Sequence, residues 1–419
     1  MTQKSMESAS PEQKTGFAMA VAATVFFLFG FATSLNGVLQ PHLKAIFNLN
    51  YGQATLVQSA WFSAYLVLSM PAAALMAKLG YQKAMVLGLG VMGFGALLFY
   101  PAAGHLSYGV FLSAIFVLAA GVTMLQVAAN PFVTLLGSQA RASSRLNLAQ
   151  AFNSVGQMLA PSVGGWLFLS GVAITAAMSE TARTTAAQAV KAPYLAMAIV
   201  LLVLALVLSQ LKLNLPMELS SARPETGDSL WKHRHLVLGA VAMFAYVGAE
   251  ICITSLFVNY LTQPEIGNLT PKSAAPYLSL LWFGMIVGRL AGTVVMRTVP
   301  GGKVLGWAGT FALALTITTM MTTGAVAVGS IVLLGLAESI MFPTIFALAV
   351  TNLGTLTAKG SGMINVAIVG GAVMPPIQGM LADAIGLHVS YIVPGLCYVF
   401  VLYYGFIGSK IRATEGIAS

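Results

Sequence analysis

Charge is what this sequence has least of. Asp, Glu, Lys and Arg make up 7% of its 419 residues, against roughly 25% in a soluble globular domain. A water-soluble fold of this length cannot cover its surface with so few charges, so lipid must be the outer solvent. Acid is scarcer than base, with 11 Asp and Glu facing 20 Lys and Arg, a net charge of +9. Cysteine is nearly absent: Cys252 and Cys397 both fall in apolar stretches, where a thiol behaves as a small hydrophobe. A glycine-rich phosphate loop ending in Lys-Ser/Thr is missing, which excludes a local ATP engine. No serine or cysteine stands in a recognisable nucleophile setting. The histidines (His42, His105, His233, His235 and His388) lie at the ends of apolar stretches or in loops, with no pair at helical metal-ligand spacing inside a stretch. An enzyme, a resident metal and a cofactor are therefore not expected. The first fifteen residues are polar and lack the apolar core of a cleavable signal.

Apolar length, in contrast, is abundant. Hydrophobic residues are 58% of the chain and glycines number 42, and small residues let membrane helices approach closely. Stretches able to cross a bilayer run at 17–40, 51–77, 84–103, 109–136, 146–170, 193–211, 236–261, 274–297, 303–325, 329–352, 361–383 and 389–408. A crossing needs about 20 mostly apolar residues, so an all-α membrane protein of about twelve transmembrane helices is expected. With the N-terminus in the cytoplasm, only Lys44, Arg183, Lys191 and Lys272 fall outside, and the other basic residues fall inside. This positive-inside bias orients the chain with both termini cytoplasmic. The basic balance thus reports topology and not a nucleic-acid partner. A multi-pass protein of a bacterial inner membrane is expected, as a monomer in the lipid bilayer.

A polar interruption at 212–235, rich in Lys, Arg, Glu and Pro, has the composition of a cytoplasmic linker. It divides the chain into a tail (1–16), a six-helix bundle (17–211), a second six-helix bundle (236–408) and a short C-terminal tail (409–419). The halves echo one another. Trp61-Phe62 ahead of Gly80 and Gly88 matches Trp282-Phe283 ahead of Gly301 and Gly306. Gly156, Pro161 and Gly165 in span 5 keep the spacing of Gly370, Pro375 and Gly379 in span 11. Gln126 precedes Pro131 in span 4 as Glu338 precedes Pro343 in span 10. Several matches in one order point to a duplicated unit.

Polar side chains inside hydrocarbon need a reason. In span 5, Asn147, Gln150, Asn153, Ser154 and Gln157 fall within an arc of about 120° at 100° per residue. Amides offer donors and acceptors together, which suits a neutral polyhydroxylated ligand. Interhelical bonding explains a single Asn, but five residues in one stripe point to a ligand cavity. In span 1, Thr33, Asn36 and Gln40 share a face, and helix contact and ligand contact both stay open. Two acids lie deep in spans: Glu250, with Tyr246 and Thr254 one turn either side, and Glu338, followed by Ser339. Intramembrane acids cost about 2.5–3.5 kcal/mol on insertion scales and commonly mark an ion or proton path; a structural, hydrogen-bonded carboxyl is the plainer alternative. Arg289, Lys78, Lys83, Arg141 and Arg145 lie at cytoplasmic helix ends, where they either gate by pairing with acids or helix C-termini or simply anchor the ends, anchoring being the default reading.

The run Ala128-Ala129-Asn130-Pro131-Phe132-Val133-Thr134-Leu135-Leu136-Gly137, then Arg145-Leu146-Asn147-Leu148-Ala149-Gln150-Ala151-Phe152-Asn153-Ser154, resembles the fucose:proton symporter family of the major facilitator superfamily. Tyr246-Val247-Gly248-Ala249-Glu250, Phe342-Pro343-Thr344-Ile345-Phe346 and Ile368-Val369-Gly370-Gly371 agree, and the Glu250 version looks like the glucose/galactose branch. The resemblance covers nearly all of 17–408. It implies the major facilitator fold, whose own parallel repeats place the substrate near the midplane where they meet. It also implies sugar contacts at Gln150 and Asn153. The family's coupling acids on spans 1 and 4 are replaced here by Gly37 and Gln126, which cannot carry a proton.

The expected function is import of a neutral, glucose- or galactose-like hexose by alternating access, coupled to sodium or protons. The substrate set is Gln150, Asn153, Gln126, Asn36, Asn147, Asn130 and Trp282, the last either stacking on the sugar or packing in the core. The coupling set is Glu250, Glu338, Thr254, Ser339 and Asn365, with transient sodium near either acid served by neutral oxygens, Ser255 and Thr344 included. The open alternatives are an uncoupled uniporter, an efflux antiporter for metabolites or drugs, which would want an aromatic cavity, and a non-transporting sugar sensor.

Overall fold

The computed structural model describes residues 11–49, 51–169, 180–211 and 229–411. Within them the chain is helical, with no strand. The helices are α1 (Pro11–Ile46), α2 (Tyr51–Leu79), α3 (Tyr81–Gly104), α4 (Tyr108–Leu135), α5 (Ala142–Leu169), α6 (Glu180–Ala189) and α7 (Lys191–Gln210). After the linker come α8 (Arg234–Leu261), α9 (Pro271–Val295), α10 (Gly301–Met321), α11 (Gly324–Glu338), α12 (Met341–Ala349), α13 (Thr357–Val366), α14 (Gly370–Ile385), α15 (Leu387–Ser390) and α16 (Ile392–Tyr403). Eleven helical stretches among the described residues are long and apolar enough to cross a bilayer. The fifth sequence-predicted span is the 28-residue α5, whose last side chains lie outside the described residues. Most of the linker and the outer parts of both tails lie outside them too.

Two compact units form, Met1–Phe132 with Val155–Ser221, and Val133–Ser154 with Ala222–Ser419. The first half of α5 therefore packs with the second unit, although the sequence alone assigns it to the first bundle. Each unit is held by helices meeting where glycine leaves no side chain. A Cβ at Gly156 on α5 would stand 2.2 Å from the Phe27 carbonyl oxygen of α1, and one at Gly370 would stand 2.1 Å from the Phe244 carbonyl oxygen of α8. These two glycines occupy matching positions of the sequence repeat and make the same kind of contact, each with the first helix of its own half.

The halves differ in regularity. Spans 4 and 5 are unbroken helices, α4 and α5. Their counterparts stay helical but irregular: span 10 loosens at Ser339–Ile340, between α11 and α12, and span 11 tightens to a 3-10 turn at Ala367–Val369, between α13 and α14, with right-handed helical backbone at each junction. Pro343 has no N–H for the Ser339 carbonyl, and a side chain bonds that carbonyl instead.

The end of α4 is finished by a side chain. Gly137, at φ 80°, turns the chain in the left-handed region open to glycine. Arg145 then donates to the carbonyls of Val133 (3.2 Å), Thr134 (2.7 Å) and Ser138 (2.8 Å). A cation at a helix C-terminus also meets the negative end of the dipole. Arg145 is thus a bonded cap as well as an end anchor.

Beyond the first span, Thr15–Leu35, buried His42 donates from Nε2 to the Ala186 carbonyl of α6 at 2.9 Å. Burial holds this imidazole below its usual value of 6.5, partly opposed by that hydrogen bond. A depressed histidine favours the folded state above the unfolded value, and its contribution is lost as pH falls below it. Detergent melting of the purified protein should therefore decline below pH 6.5, with a shallower decline in His42→Gln; identical pH profiles would contradict the assignment. Gly370→Ala should cost about 1–3 kcal/mol through forced separation of α8 and α14, whereas Gly379→Ala, with nothing within 4 Å, should hold or raise the melting temperature, alanine being the better helix former.

Candidate functional site

The second unit carries the first half of the α5 stripe. Helical spacing brings Asn147, Gln150, Asn153 and Ser154 to one side, and all are at most 4% exposed. Asn147 Nδ2 donates to the Ser143 carbonyl (2.9 Å) and to Thr344 Oγ1 (3.2 Å), while its Oδ1 has no hydrogen-bond partner. Part of Asn147 is therefore helix contact. Ser144 Oγ donates to the Thr293 carbonyl of α9 at 2.7 Å.

The main partner of the stripe is one the sequence reading put at a cytoplasmic end. Arg289, on α9, is only 4% exposed. Its Nη1 donates to the Gln150 carbonyl at 2.8 Å and also to Ser154 Oγ. Its Nε donates to the Ser339 carbonyl at 3.0 Å, where span 10 loosens. Tyr246 and Glu250 are within electrostatic reach of the guanidinium. Of the two readings of Arg289, an end anchor reaching water does not stand: the side chain is buried in the protein and joins α9 to α5 and to span 10.

The two acids differ. Glu250 on α8 is partly buried. Thr254 Oγ1 donates to the Glu250 carbonyl at 2.9 Å, so this hydroxyl serves its own helix. Glu338 is fully buried at the C-terminal end of α11. One carboxyl oxygen accepts from the Tyr398 hydroxyl, and the other has no hydrogen-bond partner. Tyr246 lies within electrostatic reach of both acids, and the acids of each other. Ser339 Oγ returns to the Leu336 carbonyl (2.7 Å). Asn365, fully buried on α13, donates to the Ser361 carbonyl (2.8 Å) and keeps Oδ1 without a partner. Trp282 is partly buried on α9 and Ser255 is exposed on α8.

In the first unit, Gln126 on α4 donates from Nε2 to the Tyr65 hydroxyl at 2.9 Å, and its Oε1 has no partner. Asn130 is fully buried one turn further on. Thr33 Oγ1 bonds the Phe29 carbonyl (2.8 Å) and Ser34 Oγ the Gln157 carbonyl (2.8 Å). The side chains of Asn36 and Gln40 lie outside the described residues. Among the described residues no group of three or more His, Cys, Asp or Glu is placed to hold a metal ion.

Residues 21–369 match the profile of the Major Facilitator Superfamily. The chain belongs to that superfamily. It is 45% identical to a glucose/galactose transporter of Brucella abortus over 405 residues, 96% of each chain. It is 33% identical to the L-fucose-proton symporter of Escherichia coli, covering 92% of this chain and 91% of that one. A crystal structure of the transporter FucP in the outward conformation superposes with a TM-score of 0.87 at 32% identity, covering 95% of this chain and all of that one. The fold and the resemblance expected from the span 4 and 5 motifs both stand, and the chain is a multi-pass membrane transporter of this superfamily, not an enzyme.

Two groups escaped sequence reasoning, Tyr65 and Tyr398, as did the α5 and span 10 partners of Arg289. A tyrosine in an apolar helix reads as core, and only the partner acid or amide on another helix reveals its role. Tyr398→Phe should cost about 1–3 kcal/mol, the penalty of leaving a buried acceptor without its donor. The double variant with Glu338→Gln should cost less than the sum of the singles in detergent melting; simple additivity would show that the two side chains do not interact.

Proposed function

We propose that this protein imports a neutral hexose of the glucose or galactose type by alternating access, driven by the inward flow of protons or sodium through carboxylates of its C-terminal half. The observation that carries the reading is the buried amide and hydroxyl face of α5, in a chain nearly half identical to a glucose/galactose transporter along its whole length. Amides recognise sugar hydroxyls without needing charge on the ligand. Gln150 and Asn153 are the main contacts, with Gln126, Asn130, Asn36 and Asn147 assisting and Trp282 offering a ring face to the pyranose.

The coupling ion is cargo. Gly37 and Gln126 hold no charge, so Glu250 and Glu338 are the acids deep in the spans to take it up, Asp383 being exposed at the end of its own. Glu338 has an unpartnered oxygen, in a span whose neighbouring Ser339 carbonyl is already taken by Arg289. Ser339 and Thr254, both bonded to their own helices, would have to exchange those bonds to serve as ligands. Asn365 keeps an unpartnered acceptor and would need no such exchange. A bacterial inner membrane is the setting, where a gradient of either cation is available.

Uptake of labelled glucose and galactose into proteoliposomes, with an imposed sodium or proton gradient, tests this. Accumulation above equilibrium is expected in the wild type with one of the gradients. It should fall at least tenfold in Glu250→Gln or Glu338→Gln, a loss of about 1.4 kcal/mol or more. Undiminished accumulation in both variants would refute coupling through these acids, and uptake that only equilibrates would identify a uniporter. By calorimetry, Gln150→Ala should abolish hexose binding; unchanged affinity would remove Gln150 from the site.

A further inference from the structure

A buried guanidinium that bonds the sugar-facing helix and the irregular span beside a coupling acid has more than an anchoring role. We propose that Arg289 is the positioning residue that makes hexose affinity on α5 depend on cation occupancy of Glu250 and Glu338. This rests on the symport reading above and goes beyond it by naming the link between the two sites.

The geometry supplies each connection. Arg289 Nη1 holds the Gln150 carbonyl and Ser154 Oγ, one turn apart on α5. The Gln150 carbonyl and its amide belong to one residue, so a shift of the guanidinium moves the group that recognises the sugar. Arg289 Nε holds the Ser339 carbonyl, the peptide immediately after Glu338. That grip depends on close approach of α9, because a Cβ at Gly288 would stand 2.1 Å from Ser339 Oγ. The planar fork of arginine makes both attachments at once, which a lysine ammonium does not reproduce.

Charge supplies the sensitivity. The oxygens bonded to Arg289 are neutral, so they satisfy its N–H groups without balancing its charge. A buried charge needs an opposite one nearby. Among the described residues the groups in electrostatic reach are Tyr246 and Glu250, and Glu250 in turn is in reach of Glu338. When a cation occupies the acids, their pull on the guanidinium is cancelled, and Arg289 rests on α5 and Ser339. When the cation leaves, an uncompensated carboxylate competes with the Gln150 carbonyl and Ser154 for the same N–H groups. Loosening α5 weakens the sugar, and by linkage a bound sugar strengthens cation binding by the same factor.

The test is hexose affinity of the purified transporter with and without the coupling cation, in wild type, Arg289→Lys and Arg289→Gln. In the wild type the cation should tighten hexose binding by about 5–150-fold, and in Arg289→Lys by less than about twofold. A purely structural role would weaken binding equally in both conditions and keep the ratio, and that result overturns the assignment. Gly288→Ala keeps the arginine but forces α9 away from Ser339; it should also lower the ratio, and it serves if Arg289→Gln does not fold. A wild type indifferent to both sodium and protons sinks the symport reading and this assignment with it. A cation-sensitive wild type with an unchanged ratio in Arg289→Lys and Gly288→Ala sinks this assignment alone.

Discussion

Hydrocarbon supplies no hydrogen bonds, and this one deficit governs where polar atoms are found in the structure. Each buried polar group must find a protein partner or be kept for a ligand. The two outcomes are visible side by side. Thr33, Thr254 and Ser339 turn back to carbonyls of their own helices, so their hydroxyls are satisfied locally. Asn147 divides its amide between its own helix and Thr344. Gln126, Glu338 and Asn365 each keep an oxygen without a partner, and such atoms in a native fold call for a ligand, an ion or water. Arg289 is the extreme case, a full positive charge that is held by neutral oxygens yet lies within electrostatic reach of an acid.

Duplication followed by divergence explains the distribution of these groups. The packing of Gly156 against α1 and of Gly370 against α8 preserves the common ancestor of the halves. The acids and the helix irregularities do not repeat. The first half has Gly37 and Gln126 where related symporters are expected to carry carboxylates, and its spans 4 and 5 run unbroken. The second half has Glu250, Glu338 and two irregular spans. Amides suit recognition of a neutral solute and carboxylates suit a small cation, so the roles proposed above follow the polar groups that each half keeps buried.

Much of this was legible in the sequence because hydrophobic length and helical periodicity are local. The spans, the repeat and the α5 stripe come from composition and spacing alone. The irregular turn of span 10 has a local cause, Pro343, which has no N–H to bond the Ser339 carbonyl four residues back, but where that freed carbonyl turns was not legible, because its partner Arg289 is distant in sequence. Arg289 stayed between gating and anchoring for a related reason: a charge near a predicted span end ordinarily reaches toward water, and only its bonds to Gln150 and Ser339 show where it is held. Tyr65 and Tyr398 became functional candidates only through Gln126 and Glu338, partners distant in sequence. The α5 face, in contrast, needed no partner to be recognised.

Everything proposed above depends on recognition of a sugar by the amides of α5, and a structure of the transporter with glucose or galactose bound is the test. Sugar hydroxyls should lie within hydrogen-bond distance of the Gln150 and Asn153 side chains. A hexose seated elsewhere, with both amides bonded only to protein groups, would contradict it.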